Sequence, residues 1–368
     1  MNEKYMLRAV ALAKKGLGFT SPNPPVAAVI VKNNKIITEG YHKKAGSDHA
    51  EVIALKKCKT NVKGATLYVT LEPCFHHGKT PPCVNTILES GIKKVCIGMK
   101  DPYPEVNGRS IKYLKKQGVK VEILNKKSPI YSDLKNLMQE FIKYCKYDLP
   151  YVTLKAGISL DGKIATSKGE SKWITNPLSR KDSRLIRSQC DAVILGSGTV
   201  KADNPTLKTV NPYKNKNILK VVIDKDLSLK DNLNIFKDTN LLIAHTDLAQ
   251  KKNIEDYKKK GLNIKSFGKK RVSINKLLKY LHSISVQSIF VEGGAEIHGS
   301  FYDAFKKNPY LIDKVLFYMS PVIIAGRNAK SVIAGEGISK LSTLRRIKDL
   351  KVKKMGDNLK IHGYLNYY

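Results

Sequence analysis

Four residues constrain this chain more than any others: His49, Glu51, Cys74 and Cys83. One imidazole and two thiols give three ligands for a zinc ion and leave a fourth position open, which is typical of a catalytic site. Glu51 stands two residues after the histidine, and a carboxylate there is better placed to move protons than to bind the metal. Any fold that uses this set must bring it to one point.

A structural zinc site is the alternative interpretation of the same residues. His76 and His77 lie between the two cysteines, and either one is able to supply a fourth ligand. A purely structural site has no use for Glu51, however. We therefore predict a catalytic zinc beside a proton-handling carboxylate, which suits hydrolytic removal of an amino group from a heterocycle.

Residues 3–145 alternate between helical and extended patterns. Ser47 and Asp48 are cap-type residues before an apolar helical run, which predicts that His49 and Glu51 lie in the first turn of a helix. Cys83 opens a further helix, whose positive dipole end favours a thiolate. Strands separated by helices predict an α/β fold with a largely parallel sheet covered on both faces.

The segment KYDLP at 146–150 is a plausible linker, and a second series of strands and helices follows it. We therefore predict two domains, residues 1–146 and residues 147–368. The N-terminus has the pattern of an amphipathic helix without a cleavable signal, and no apolar run is long enough to span a membrane. These features predict a soluble, cytoplasmic protein.

The formal net charge of +35 raises the question of nucleic-acid binding. The lysines are scattered along the whole length, often beside asparagine, and form no dense stripe interleaved with aromatic residues. We interpret them as solvated faces and expect no nucleic-acid partner. A basic RNA-binding protein with a structural zinc remains the alternative from a different functional class.

The N-terminal half resembles the deaminase half of the bifunctional riboflavin-biosynthesis deaminase-reductases. The resemblance rests on PNPPVAAVIV, GYHKKAGSDHAE, TLYVTLEPCFHHGKTPPC and the DP at 101–102. It implies a cytidine-deaminase-like three-layer αβα domain with one Zn²⁺. It also implies that a pyrimidine ribose phosphate is bound by Asn23, His42, His76 and Lys79.

Two features of this half bear on the substrate. The wide spacing from Cys74 to Cys83 disfavours a nucleoside or tRNA deaminase with an appended domain, in which C-x-x-C is usual; that enzyme remains an alternative. Pro25, Ala27 and Tyr103 depart from the family pattern near the expected pocket.

Two glycine-containing segments stand out in residues 147–368. SIFVEGG runs into a helix, where free backbone N–H groups are suited to binding a phosphate, and GSGTVKADNPTL follows the apolar strand DAVILG. Two such loops at strand ends predict a dinucleotide lying across the edge of a sheet. No G-x-G-x-x-G follows a strand, which disfavours the usual Rossmann domain.

This half is similar to the reductase half of the same family, through VTLKAGISLDGKIA, ESKWIT, LIRSQCDAVILGSGTVKADNPTL, VVID and VEGGAEIHGSF. The resemblance implies a dihydrofolate-reductase-like α/β domain that transfers hydride from NADPH to the ribose carbon of the deaminated intermediate. Implied cofactor contacts are Ala156, Trp173, Thr199, Asp203, Gly294, Ala295, Glu296, Ile297, His298, Gly299 and Ser300. Implied substrate contacts are Lys155, Ser171, Arg187, Leu207 and Glu292.

One position in this half departs from the family. An arginine that would hold the substrate phosphate is replaced by Val210, and we expect Lys208 to compensate in part, because a point charge does not reproduce a bidentate fork. The resemblance as a whole implies a small-molecule substrate, no membrane partner and a homo-oligomer.

Overall fold

The structure, a computed structural model, describes residues 1–75 and 82–368. The predicted substrate residues His76 and Lys79 lie outside the described residues. The chain divides into two compact units, Met1–Asp148 together with Tyr368, and Leu149–Tyr367. Each unit is described separately below.

The first unit alternates helices and strands, as the sequence pattern indicates. In chain order its elements are α1 (Glu3–Ala13), β1 (Ala27–Lys32), β2 (Lys35–Tyr41), α2 (Ala50–Lys57), β3 (Thr66–Leu71), α3 (Cys83–Glu89), β4 (Lys94–Met99), α4 (Arg109–Lys116), β5 (Lys120–Ile123) and α5 (Pro129–Tyr147). The strands form a five-stranded sheet in the order β2-β1-β3-β4-β5.

Helices cover both faces of this sheet, which confirms the three-layer α/β arrangement. On one face the apolar side chains of α1 and α5, among them Met6 and Leu134, pack on β1, β3 and β4. On the other face α2, α3 and α4 contribute Ala54, Ile87 and Leu114 to a second core. The sheet is therefore buried on both sides over its central strands.

The prediction of a largely parallel sheet holds for β3, β4 and β5 but is wrong for the first two strands. β1 pairs antiparallel with both β2 and β3. The turn between β1 and β2 contains Asn33 and Asn34, whose φ angles are 50° and 56°. Two consecutive residues with positive φ, a conformation that asparagine tolerates, make a tight hairpin turn. This turn makes β2 run antiparallel to β1.

The second unit begins with a long strand and ends with a hairpin. In chain order its elements are β6 (Tyr151–Ile158), β7 (Lys163–Ala165), α6 (Pro177–Gln189), β8 (Ala192–Gly196), α7 (Ser197–Asp203), β9 (Leu219–Ile223), β10 (Leu241–His245), α8 (Lys251–Lys259), β11 (Asn263–Ser266), α9 (Ile274–Ser283), β12 (Ser288–Val291), α10 (Ala295–Lys307), β13 (Lys314–Met319), β14 (Lys330–Ser331), β15 (Lys348–Met355) and β16 (Asn358–Tyr364). Nothing after α10 was predicted from the sequence.

A nine-stranded sheet organises this unit, in the order β11-β10-β9-β8-β12-β6-β13-β16-β15. The strands from β11 to β13 are parallel, and β16 and β15 continue the sheet antiparallel. Helices α9 and α10 pack on one face; α6, α7 and α8 pack on the other. The carboxyl ends of β8, β12 and β6 therefore meet at one edge, where ligands bind in open α/β sheets.

In the part of the chain that the structure describes, residues 1–75 and 82–368, no helix combines the length and the apolar character required to cross a membrane.

Candidate active sites

The first site is built on the start of helix α2. His49 is the N-cap of this helix and Glu51 lies in its first turn. The helix rests directly on β2, because a Cβ on Gly40 would lie 2.7 Å from the Ala50 carbonyl oxygen and 2.6 Å from the Ala54 nitrogen. Gly40 thus permits the close packing that fixes the direction of the imidazole and the carboxylate.

The three predicted ligands converge on one point. The Nδ1 atom of His49 lies 3.3 Å from the Cys83 sulfur and 3.4 Å from the Cys74 sulfur. Cys83 is the first residue of α3, and its backbone N–H donates to the Cys74 sulfur at 3.2 Å. All three ligand atoms lie within 4.8 Å of one another.

This arrangement fits a zinc ion. Zinc bonds of about 2.3 Å to sulfur and about 2.0 Å to nitrogen, at a tetrahedral angle, place the two ligand atoms about 3.5 Å apart. The two nitrogen–sulfur distances of 3.3 and 3.4 Å are close to that value. The donor set also has the soft, borderline character that zinc prefers.

The protonation of the ligands follows from their mutual contacts. The hydrogen bond from Cys83, opposed by burial and helped by His49, lowers the pKa of the Cys74 thiol. The pKa of Cys83 is raised, first by its bond to the Cys74 thiolate and then by burial. The hydrogen bond with Cys74 raises the pKa of His49. A thiolate is thus already favoured at Cys74.

Glu51 lies next to the ligands and is 3 % exposed. Burial and the nearby Cys74 thiolate raise its pKa to about 7, against the opposing effect of His49. A carboxyl group with a pKa close to the working pH is suited to both accepting and donating a proton. The position of Glu51 is therefore consistent with its predicted role.

The predicted pocket residues Asn23 and His42 contact each other beside this site. The Asn23 side-chain nitrogen lies 3.1 Å from His42 Nε2, and His42 Nδ1 lies 3.0 Å from the carbonyl oxygen of Asp48. Both bonds form if Nδ1 carries the proton. The His42 ring packs edge-on against His49 at 5.4 Å, so both residues lie close to the ligands.

Sequence reasoning missed Glu72, which organises the backbone next to Cys74. Its buried carboxylate accepts N–H groups from Asp101 at 3.2 Å, Gly108 at 2.9 Å and Ile111 at 3.4 Å. The first turn of α4 and the DP segment are thereby held against the end of β3. The available signal was an acidic residue directly after an apolar strand, where an unpaired carboxylate is costly.

The second site is a charged cluster at the carboxyl edge of the nine-stranded sheet. Glu292 follows β12 and lies between two cations: Lys155 Nζ at 3.0 Å and Arg187 Nη1 at 2.8 Å. Arg187 also donates to the carbonyl oxygen of Lys208 at 3.3 Å. The structure thus brings together three residues that are far apart in the sequence.

The two cations decide the charge of Glu292. Burial acts to raise its pKa, but Lys155 and Arg187 outweigh burial and hold it at about 2. Arg187 is 8 % exposed and therefore not a solvated surface charge. The Glu292 carboxyl group therefore stays ionised across the neutral pH range.

The glycine turn after β12 packs tightly against β8. A Cβ on Gly293 would lie 2.5 Å from Cβ of Ile297, and one on Gly196 would lie 2.7 Å from Cγ1 of the same residue. A Cβ on Gly294 would lie 3.6 Å from the Thr199 hydroxyl oxygen. The two predicted loops therefore meet at the start of α10, an arrangement that fits a phosphate of a dinucleotide.

The residues predicted at 295–300 play different parts within α10. Ile297 belongs to the apolar core, and His298 is 1 % exposed with Nδ1 lying 2.9 Å from the Val332 carbonyl oxygen. Ser300 is exposed and donates to the carbonyl oxygen of Glu296 at 2.8 Å. Gly294, just before the helix, lies beside Thr199 of α7, and Ile297 packs against Gly196 of β8.

The residue before Trp173 forms an ion pair with Asp203. Lys172 Nζ lies 3.4 Å from Asp203, so the segment containing Ser171 and Trp173 lies beside α7. Trp173 is 66 % exposed, which excludes core packing, and the guanidinium of Arg180 lies 4.5 Å from its ring centre.

The remaining predicted residues of this unit are buried or close to Arg187. Ala156 and Leu207 are each 5 % exposed, and Leu207 has a φ of 51°. The backbone N–H of Val210 donates to the Ser188 hydroxyl at 3.1 Å, so position 210 lies at the carboxyl end of α6.

Two family profiles match this chain. The cytidine and deoxycytidylate deaminase zinc-binding region matches residues 1–99, and the RibD C-terminal domain matches residues 150–361. Riboflavin biosynthesis protein RibD of Bacillus amyloliquefaciens is 38% identical over 98% of this chain and 95% of its own length. That of Escherichia coli (strain K12) is 34% identical over 98% of both chains.

Solved structures agree over the same length. Acinetobacter baumannii RibD, form 1, superposes with a TM-score of 0.85 at 31% identity and 98% coverage of both chains. A diaminohydroxyphosphoribosylaminopyrimidine deaminase/5-amino-6-(5-phosphoribosylamino)uracil reductase from Thermotoga maritima gives a TM-score of 0.83 at 33% identity, with the same coverage. These matches over nearly the whole length show that the chain belongs to the RibD family of bifunctional riboflavin-biosynthesis deaminases and reductases.

Proposed function

We propose that this chain carries out two consecutive steps on a pyrimidine ribose phosphate. The first is hydrolytic deamination of 2,5-diamino-6-(5-phosphoribosylamino)pyrimidin-4(3H)-one. The second is NADPH-dependent reduction of the ribosyl group, which gives 5-amino-6-(5-phosphoribitylamino)uracil. We assign the deamination to residues 1–146 and the reduction to residues 147–368.

The observation that carries the proposal is the convergence of His49, Cys74 and Cys83 beside a buried Glu51. Zinc, when bound, supplies Lewis-acid activation of water near neutral pH. The Glu51 carboxylate takes a proton from the attacking water and passes it to the departing amino nitrogen. Asn23 and His42, together with His76 and Lys79, bind the substrate.

For the reduction, the cluster at the edge of the large sheet holds the substrate. Lys155 and Arg187, fixed by Glu292, present cations and N–H donors to the ribosyl phosphate and the uracil ring, with Ser171 and Leu207 completing the pocket. NADPH, when bound, supplies the hydride. Its contacts are Ala156, Trp173, Thr199, Asp203 and the turn at 294–300.

The replacement of the family's arginine by Val210 bears on the substrate phosphate. Lys208 is exposed next to this position, and Arg187 holds the Lys208 carbonyl group. We propose that Lys208 supplies part of the missing charge. Lys208→Ala should then raise the Michaelis constant of the reduction, and an unchanged constant would refute the compensation.

We also propose that the protein works in the cytoplasm as a homo-oligomer without a nucleic-acid or membrane partner. The scattered lysines support the absence of a nucleic-acid site. Sedimentation of the purified chain tests the oligomeric state. Measurement of RNA binding at several salt concentrations tests for a nucleic-acid partner, and we expect no salt-dependent binding.

One coupled assay tests the main proposal. The purified chain is given the diaminopyrimidine substrate and NADPH, and ammonia release and NADPH oxidation are followed together. We expect ammonia release first and NADPH oxidation afterwards. Ammonia release from a nucleoside or a tRNA fragment, without turnover of the pyrimidine phosphate, would contradict it.

A further inference from the structure

The C-terminal hairpin of β15 and β16 holds the start of helix α6. The side-chain nitrogen of Asn176, the N-cap of α6, donates to the Met355 carbonyl oxygen at 2.6 Å and to the Asp357 carboxylate at 2.5 Å. The Asn176 backbone N–H donates to the side-chain oxygen of Asn358 at 2.9 Å. The turn of the hairpin is thus bonded to the N-terminal end of α6, whereas Arg187 lies near the C-terminal end of the same helix.

A second contact joins α6 to the sheet at Asp182. The hydroxyl of Tyr318, in β13, donates to Asp182 Oδ2 at 2.5 Å. The Nζ atom of Lys360, in β16, lies 2.6 Å from the same oxygen. Tyr318 and Lys360 are register partners in the sheet, so both approach the helix from one place.

This second contact involves a buried hydroxyl and lies on the face of the sheet that carries the charged cluster. Tyr318 is 1 % exposed, and burial, the bond to Asp182 and the charge of Glu292 all raise the pKa of its hydroxyl well above the usual range. The hydroxyl therefore stays protonated and remains a donor. Tyr318 stands two residues after Leu316, the register partner of Lys155, so its side chain lies on the same face of the sheet as that of Lys155.

Arg187 lies on the same helix, five residues after Asp182. A guanidinium is a rigid planar fork, so its bond to Glu292 at 2.8 Å depends on the position of the helix that carries it. We propose that Asp182 is a positioning residue of the reductase: by binding Tyr318 and Lys360 it sets α6 so that Arg187 meets Glu292 and the substrate. This rests on the proposed function, in which Arg187 contacts the substrate.

Asp182→Asn tests the proposal, because it keeps the shape of the side chain and removes its charge. We expect the Michaelis constant for the deaminated substrate to rise about tenfold, since small displacements of a binding group have effects of this order. The turnover number at saturation, the Michaelis constant for NADPH and the rate of ammonia release should change less than about twofold. Tyr318→Phe removes only the hydroxyl, and serves if Asp182→Asn does not fold.

Two matched comparisons separate positioning from stability. Lys360→Arg should keep the Michaelis constant near wild type, whereas Lys360→Met should raise it as Asp182→Asn does. Tyr257→Phe removes an equivalent buried bond, from its hydroxyl to the Leu229 carbonyl oxygen at 2.7 Å, and should leave the constant unchanged.

Two results would overturn the proposal. One is a folded Asp182→Asn or Tyr318→Phe protein with a wild-type Michaelis constant. The other is a rise that Tyr257→Phe reproduces. A wild-type chain that does not oxidise NADPH with the deaminated substrate would instead count against the proposed function.

Discussion

The candidate deaminase site and the candidate reductase site of this chain differ in how their charges are arranged. At the first, two thiols and an imidazole converge within 4.8 Å, a set of groups that attracts a divalent cation. At the second, one carboxylate lies between a lysine at 3.0 Å and an arginine at 2.8 Å, so it compensates part of their positive charge and holds both side chains in place. The groups of the first site are therefore suited to holding a metal ion, whereas the second site holds its geometry through its own charges.

Metal removal should separate the two sites most sharply. With a zinc chelator, ammonia release should be lost entirely, because the groups of the first site cannot activate water without the ion. NADPH oxidation on substrate that is already deaminated should continue. The measurement is the coupled assay with each substrate in turn, and zinc added back should restore ammonia release. Loss of both activities would show that the sites are not independent in this respect.

Glu51→Gln tests the proton-handling group without removing the ligands. Deamination should fall about 10³-fold, the usual contribution of a general acid–base group. Zinc content, measured by elemental analysis, should stay at one per chain, and reduction of deaminated substrate should be unchanged. A variant that has lost zinc would instead mark Glu51 as part of the metal site.

Glu292→Gln tests whether the second site is held by its own charges. The variant leaves Lys155 and Arg187 uncompensated, so the reductase unit should lose about 3 kcal/mol of unfolding free energy at neutral pH. The comparison is with Glu255→Gln, an exposed carboxylate of α8, which should cost less than about 0.5 kcal/mol. A loss no larger than that of Glu255→Gln would contradict the charge-based account.

The difference in unfolding free energy between wild type and Glu292→Gln should also depend on pH. The folded pKa of Glu292 is about 2, below its ordinary value of 4.5. Its contribution to stability is therefore present above about pH 4.5 and is lost as the pH falls toward 2; by linkage it amounts to about 3 kcal/mol. The difference in unfolding free energy between wild type and Glu292→Gln should shrink over this range. A constant difference would show that the carboxylate is not held ionised by its neighbours.

The smallest effect is expected at position 210, where charge can be added to the second site. Val210→Arg should lower the Michaelis constant of the reduction about threefold to tenfold, because a guanidinium binds a phosphate through two parallel bonds. Val210→Lys should have a weaker effect, since a point charge lacks that geometry. An unchanged constant in both variants would show that the substrate phosphate does not reach this position.

The two sites also differ in how far they were predictable. The ligands and Glu51 lie close together in the sequence, and cap residues and prolines mark the helix starts that carry them. The positions of His49 and Glu51 at the start of α2, and of Cys83 at the start of α3, followed from these local signals. The cluster of Lys155, Arg187 and Glu292 was assigned only through family resemblance, because no local pattern links residues so far apart.

Other features had a weak local signal or none. Glu72 is a single carboxylate after an apolar strand, and its three backbone partners come from a later loop and helix. Asp182, Tyr318 and Lys360 each have an ordinary helix or strand setting. Their contact depends on which strands are neighbours in the sheet, a property of topology rather than of pattern.

The amino-acid pattern alone was enough to predict the α/β class, the two series of strands and helices, and a candidate metal site, because periodicity and ligand spacing are local properties of the chain. The antiparallel pairing of β1 with β3, the ionic pairing of Glu292 and the bonding of the C-terminal hairpin to α6 became visible only in the folded structure. These depend on strand order and on burial, which bring distant residues within bonding distance and set the energetic cost of leaving a charge unpaired.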